Sequence, residues 1–282
     1  METRRLRLLA ELARLGSMTE VAEERGLTTS TVSQQLAILA RDVGAALVEP
    51  AGRRVRLTPA GRRLAGHAVT ILAAVDAAEH DLDPGATPAG PVRVAGFATA
   101  IRRTLLPAQR VLARAHPGVR LLIHEHEPLE AFGLLDADDV DLALVYDYNL
   151  APVTFAARYE TRPLWTLPWS LAAPAGMSAG DAWRQDWIVN SRNTADEEVV
   201  RLLGSLRGLA PRVGHRCDSL TLVQDLILAG LGVGLLPGDM AGKPGIALLP
   251  IADPEATLRA YAVTRRGRAG WPPLALVLGL LR

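Results

Sequence analysis

Cysteine is all but missing from this chain: Cys217 stands alone in 282 residues, so no disulfide can close within it. A redox switch through one thiol is conceivable, but a small residue buried on a strand is the commoner role. Lysine also occurs once, at Lys243, which leaves arginine as the ligand for phosphate and carboxylate throughout. No run of about 18 uncharged apolar residues occurs, and no basic-then-apolar leader opens the chain, so no membrane partner and a cytoplasmic location are expected. An excess of one charge is lacking as well. The net charge is +1, and residues 1–82 hold 11 arginines against 10 acidic residues, so any contact with a polyanion must rely on local concentration. Five of those arginines fall between Arg53 and Arg63.

The motifs of common chemistries are missing too. No serine stands with a spaced His and Asp, and the six histidines are scattered. Gly230-Leu231-Gly232-Val233-Gly234 imitates part of a dinucleotide fingerprint, yet it leads into an apolar run ending in Pro237 rather than a helix. His124 and His126 would share one side of a strand, but no further ligand stands at metal spacing. Asp136, Asp138, Asp139 and Asp141 lack the glycine and terminal glutamate of a calcium loop. No catalytic residue, cofactor or metal is expected.

What is present is a strongly patterned first third. Leu6, Leu9, Ala10, Leu12 and Ala13 recur at helical spacing until Gly16 and Ser17. Thr19 offers a cap for a short helix through Arg25, and Gly26 supplies the left-handed conformation that stops it. A third helix from Thr28 or Thr29 to about Val43 carries Val32, Leu36, Leu39 and Val43 on one stripe. Its other side holds Thr29, Ser30, Thr31, Ser33, Gln34 and Gln35, hydroxyls and amides suited to base edges and phosphates in a major groove. A polar outer face is also what any surface helix has, so the next segment matters. Leu47 to Leu57 reads as a hairpin turning at Pro50, Ala51 and Gly52, with Arg54 and Arg56 on one face and Arg53 at the tip, as phosphate contact requires. Thr58 and Pro59 then start a long helix. Along it Gly61, Leu64, Ala68, Ile71, Val75, Ala78 and Leu82 recur in steps of three and four, the 3.5-residue period of a two-stranded seam. Leu64, Ala68, Ile71, Val75 and Leu82 are the candidate pairing residues. A core helix of one globular domain is the alternative reading.

Leu27 to Leu36 (LTTSTVSQQL), followed by Arg53 to Gly61 (RRVRLTPAG), resembles the winged helix-turn-helix of the LysR-type transcriptional regulators. The resemblance extends along the whole chain, more loosely past Leu82. In that family a Gln usually stands where this chain has Thr29, and a Pro where it has Ser30, so the preferred operator sequence is expected to differ.

Past Leu82 the pattern changes. Asp83 to Pro91 is rich in proline and glycine without periodicity and reads as a hinge. Apolar runs then alternate with helical stretches in two similar sets, which implies a mainly parallel sheet with covered faces in two lobes. The expected organisation is α/β overall: a winged helix-turn-helix over 1–57, a linker and dimerisation helix over 58–82, a hinge over 83–91 and a two-lobed effector domain over 92–282. One lobe takes about 92–163 with the C-terminal segment, the other 164–237 with adjoining strands. The resemblance implies a periplasmic-binding-protein-like domain, with crossings between lobes near Thr161 to Leu167 and after Pro237.

Ligands in such sheets sit beyond the carboxyl ends of the strands. The loops meeting that description carry Thr99, Ala100, Ile101, Tyr146, Asn190, Ser191, Arg192, Thr194 and Asp218. In the resembled family, positions like Thr99, Ala100, Asn190 and Arg192 commonly line the effector cleft. Arg192 and the amides near Ile101 favour a ligand with a carboxylate or similar anion. The same residues would otherwise only cap helices. The reading is a sequence-specific DNA-binding regulator, not an enzyme, whose partners are double-stranded DNA, a small effector and further copies of itself as a dimer or tetramer. Two rivals stand beside it: a transport-type binding protein, and an enzyme on a bilobed scaffold with Cys217 or Lys243 as nucleophile.

Overall fold

A computed structural model describes residues 1–282 except Arg53, Pro84, Ala86, Ala241 and Arg282, with Arg54 described by its backbone alone. Three helices open the chain: α1 (Thr3–Leu15), α2 (Met18–Arg25) and α3 (Thr29–Val43). Glycines in the left-handed conformation stop all three, at Gly16, Gly26 and Gly44. The cap of α2 is Ser17, whose hydroxyl accepts from the Glu20 amide; the expected cap, Thr19, lies one residue inside the helix. Ser17 wins because Gly16 has already turned the chain, leaving the next residue extended as a cap must be. Leu6, Leu9, Val21, Val32, Leu36 and Leu39 close a core between the helices, while Val43, at the end of the α3 stripe, is exposed. A two-stranded hairpin follows, β1 (Val48–Ala51) against β2 (Arg54–Leu57), in the register Glu49 to Arg56 and Val48 to Leu57.

Helix α4 (Pro59–Leu82) begins at the cap Thr58, whose hydroxyl accepts from the Gly61 amide at 2.9 Å. Its buried stripe is Ala65, Ala68, Val69, Leu72 and Ala73, and the first part of that stripe packs into the core made by α1. The seam expected from the heptad pattern is therefore divided. Ala68 is fully buried in its own chain, Leu64 and Ile71 flank that contact, Val75 is half-buried, and Leu82 is 81% exposed. Gly61 is not a seam residue: a Cβ there would collide with the Leu47 carbonyl oxygen, so this glycine lets the helix start rest against the strand entering the hairpin.

The remaining chain forms two lobes around one shared strand. In the first, β3 (Gly90–Gly96) lies parallel to and between β4 (Val119–Glu125) and β5 (Leu142–Tyr148), and β11 (Thr257–Arg265) runs antiparallel to β5. In the second, β7 (Asp186–Val189) lies parallel to and between β8 (Arg212–Arg216) and β9 (Val233–Pro237). The 16-residue β6 (Tyr159–Pro174) belongs to both: its first part pairs with β11, and its last residues pair with β9 and with β10 (Ile246–Pro250). The crossing expected near Thr161 to Leu167 is made by the middle of this strand. A register shift against Arg259 and Tyr261 places an extra residue in β6 near Pro163, where proline's missing N–H is tolerated. Gly90 and Pro91, expected in the hinge, already pair with β4.

Helices cover the faces. After β3 come α5 (Ala98–Ala100), a π-helical turn (Ile101–Leu105) and α6 (Leu106–Ala115); α7 (Pro128–Asp136) precedes β5. The second lobe has α8 (Ala179–Ala182), α9 (Ala195–Leu206) and α10 (Leu220–Leu228), and α11 (Pro272–Leu280) ends the chain. The lobes also touch the stalk, where the Thr70 hydroxyl donates to the Arg266 carbonyl at 2.9 Å.

Gly61→Ala should destabilise the N-terminal module by about 1–3 kcal/mol through forced displacement of backbone. Denaturant unfolding reads this directly, and an unchanged midpoint would mean that α4 and the Leu47 carbonyl are not held together.

Candidate DNA-reading face and effector cleft

The outer side of α3 is bare. Thr29, Ser30, Ser33 and Gln34 are exposed, while Thr31 and Gln35 are half-buried. The two half-buried residues serve the helix itself: the Thr31 hydroxyl meets that of the cap Thr28 at 2.8 Å, and the Gln35 Oε1 accepts from the Arg5 Nε of α1 at 3.1 Å. Ser33 and Gln34 form the free centre of the face. In the hairpin, Arg56 extends into solvent but meets Glu49 across the strands at 2.7 Å, so part of its charge is already answered. Arg53 lies outside the described residues, as does the side chain of Arg54.

The second site lies between the lobes, beyond the carboxyl ends of β3, β4, β5, β7 and β8. It is a cleft of about 560 Å³. Of the residues expected there, Thr99, Tyr146, Asn190, Ser191 and Asp218 line it together. The others do not. Ala100 is fully buried and Ile101 packs against the core of the lobes. Arg192 is outside the lining and is held by two carboxylates, its Nε at 2.7 Å from Asp218, itself a lining residue, and its Nη1 at 3.3 Å from Glu130. The Thr194 hydroxyl donates to Glu198 at 2.7 Å on the first turn of α9.

Sequence reasoning missed the residues at the heart of the cleft. Glu127, only 6% exposed, accepts from the Tyr146 hydroxyl at 2.8 Å and from Asn193 Nδ2 at 2.7 Å. Asp196 accepts from the Tyr148 hydroxyl at 2.9 Å. Each bond joins a residue of one lobe to one of the other, except that between Glu127 and Tyr146. Phe97, Tyr146 and Trp169 supply an aromatic wall, with Phe97 and Tyr146 edge to face at 4.6 Å between centroids. Arg102 and Arg216 stand at the rim, the latter bonded to Glu197. Some signals for these residues exist in the sequence: Glu127 precedes a helix-starting proline, and Asp196 lies in the first turn of a helix. Both look like helix-end chemistry until the fold turns them inward.

Loss of water around Asp196 pushes its carboxyl up to about 6 from an ordinary 3.8, and the nearby Glu127 and Asp218 add repulsion against the bond from Tyr148. Burial raises Glu127 likewise, partly opposed by the Tyr146 hydroxyl. Asp218 goes the other way, since its bonds from Ser191 and Arg192 outweigh its burial. Burial and the neighbouring Asp218 hold the Cys217 thiol above its ordinary value. No group of three or more His, Cys, Asp or Glu residues that could hold a metal ion occurs among the described residues. No helix among them is long and apolar enough to cross a membrane.

Residues 3–62 match the bacterial regulatory helix-turn-helix protein, LysR family, and residues 85–282 match the LysR substrate binding domain. The chain belongs to the LysR family of transcriptional regulators, whose members are DNA-binding proteins with an effector-binding domain. Among its relatives is the transcriptional dual regulator GltC of Bacillus subtilis, 27% identical over 84% of this chain and 81% of the relative. A full-length OxyR variant of Pseudomonas aeruginosa superposes with a TM-score of 0.74 at 20% identity, covering 100% of this chain and 98% of that one. CbnR in complex with its target DNA superposes with a TM-score of 0.56 at 20% identity, covering 100% and 99%. The family is one of regulators and not of enzymes.

Gln34→Ala should weaken specific operator binding by about 1–3 kcal/mol relative to random DNA, whereas Gln35→Ala should lower thermal stability, because its amide holds α1. An unchanged specificity ratio in the first variant would remove Gln34 from the reading face. Asp196 is favoured in its neutral form by the fold, so its own contribution to the stability of the ligand-free protein is fully present below pH 4 and is lost as pH rises through about 6. Asp196→Asn should flatten that fall and gain about 1–2 kcal/mol at neutral pH, by thermal unfolding across the range.

Proposed function

We propose that α3 reads bases through Thr29, Ser30, Ser33 and Gln34, that the hairpin grips phosphate, and that exposed parts of α4 pair two copies into a dimer, with tetramers by further pairing. The 1–57 segment is the DNA-binding module, 58–82 the linker, and the rest the effector domain. An effector bound between the lobes alters how two such modules are presented to two half-sites. The effector must favour one arrangement of the assembly over another, with a coupling of about 1–3 kcal/mol as the usual scale. Such a protein works in the cytoplasm, where its DNA is.

One observation carries this reading: a helix whose hydroxyl and amide side faces solvent is joined, through a single continuous stalk, to a cleft lined by polar groups of two lobes. A transport-type binding protein would leave that helix without a role. The enzyme rival also loses support, since a raised Cys217 thiol is a poor nucleophile, and Lys243 is tied to Asp225 at the surface. Sequencing the genomic fragments retained by the purified protein should return one recurring two-fold sequence. Operator bending measured on that fragment should change with a cognate effector. Retention of fragments without a shared sequence would refute the reading.

A further inference from the structure

The charges at the deep end of the cleft point away from an anion. Arg192, the guanidinium that sequence alone offers to a carboxylate ligand, is taken by Asp218 and Glu130 and does not line the cavity. Arg216 is answered by Glu197. Inside, the balance is the reverse. Glu127 and Asp196 both line the cavity, and neither has an ion-pair partner among the described residues. Their hydrogen-bond donors are neutral, among them the hydroxyls of Tyr146 and Tyr148 and the amide of Asn193, while the charge of Arg192 reaches Glu127 only from beyond ion-pair distance. A buried carboxylate without a counter-charge is costly, and proteins ordinarily supply a cation or a metal to it.

A second feature of the same cavity agrees. Aromatic residues make up only 4% of this chain, yet Phe97, Tyr146 and Trp169 all stand in this wall, each less than a tenth exposed. Aromatic faces beside carboxylates attract organic cations, because ring quadrupoles add to the charge–charge term where water is excluded. Trp169 also keeps its indole N–H without an acceptor among the described residues, a donor left over for a ligand atom. The rim carries Arg102, Thr99 and Ser191, where a carboxyl or hydroxyl tail of such a ligand would meet partners.

We infer that the cleft recognises a small organic cation, an amine or guanidine, whose charged head sits between Glu127 and Asp196 against the aromatic wall. This rests on the effector reading above and replaces the expected carboxylate by the opposite charge at the deep end of the site. On binding, the cation supplies the counter-charge that the two carboxylates lack. It thereby bridges Glu127 of one lobe to Asp196 of the other, so the charge that gives affinity also holds the lobes together.

The test uses the full-length protein, with agmatine, L-arginine, L-lysine and 1,5-diaminopentane as cationic probes, and succinate, citrate and phosphate as anionic ones. Calorimetry and thermal unfolding should show binding by at least one cation and by none of the anions. Glu127→Gln should weaken that cation by about tenfold or more, and Asp196→Asn should do so independently, which keeps the result readable if one variant folds poorly. An anion that binds and is tightened by Glu127→Gln would overturn the assignment. So would a complete lack of binding by the four cations. Operator retention, measured on the same preparation, belongs to the regulator reading and stands or falls separately.

Discussion

The meeting of acidic side chains and tyrosine hydroxyls between the lobes is the constraint on which the effector half of this protein turns. Asp196 of the second lobe is held by Tyr148 of the first, and Glu127 of the first lobe is held by Asn193 of the second. Such bonds fix how far apart the lobes stand before anything binds. They also leave negative charge where water is scarce, which is why Asp196 shifts upward while the well-bonded Asp218 shifts downward. Two aspartates in one cleft thus differ because desolvation dominates at Asp196, whereas at the less enclosed Asp218 the bonds from Ser191 and the charge of Arg192 prevail.

The helix-turn-helix half depends instead on close approach. Alanines dominate the buried side of α4, and small side chains let it lie close on α1. That closeness explains why a clean heptad pattern was only partly a guide. The same residues satisfy two requirements, packing within the chain and pairing between chains, and a period of 3.5 cannot tell which surface claims a given position. Ala68 goes to the chain itself, and Leu82 remains exposed.

Much of the fold was legible in residue order, for identifiable reasons. Glycines that must adopt the left-handed conformation ended three helices where they stood, and Thr58 with Pro59 opened the fourth. Long periodic helices and all-buried parallel strands such as β5 carry their pattern within themselves. The cleft was less legible because its residues are brought together by topology. Glu127, Asp196 and Trp169 lie far apart in the chain, and each has an ordinary local role as a helix-end acid or a strand aromatic. Arg192 misled for the converse reason: a guanidinium in the right loop says nothing of Asp218 and Glu130, which reach it only in three dimensions.

The strand common to both sheets has a mechanical consequence. Because β6 is hydrogen-bonded to β11 along one stretch and to β9 and β10 along the next, neither lobe can slide past the other without breaking a ladder. The extra residue of that ribbon near Pro163 interrupts the ladder on the side of β11 alone. The Arg266 carbonyl, one residue past the end of β11, accepts from Thr70 of α4, so the strand that continues this ladder is anchored to the stalk at its far end.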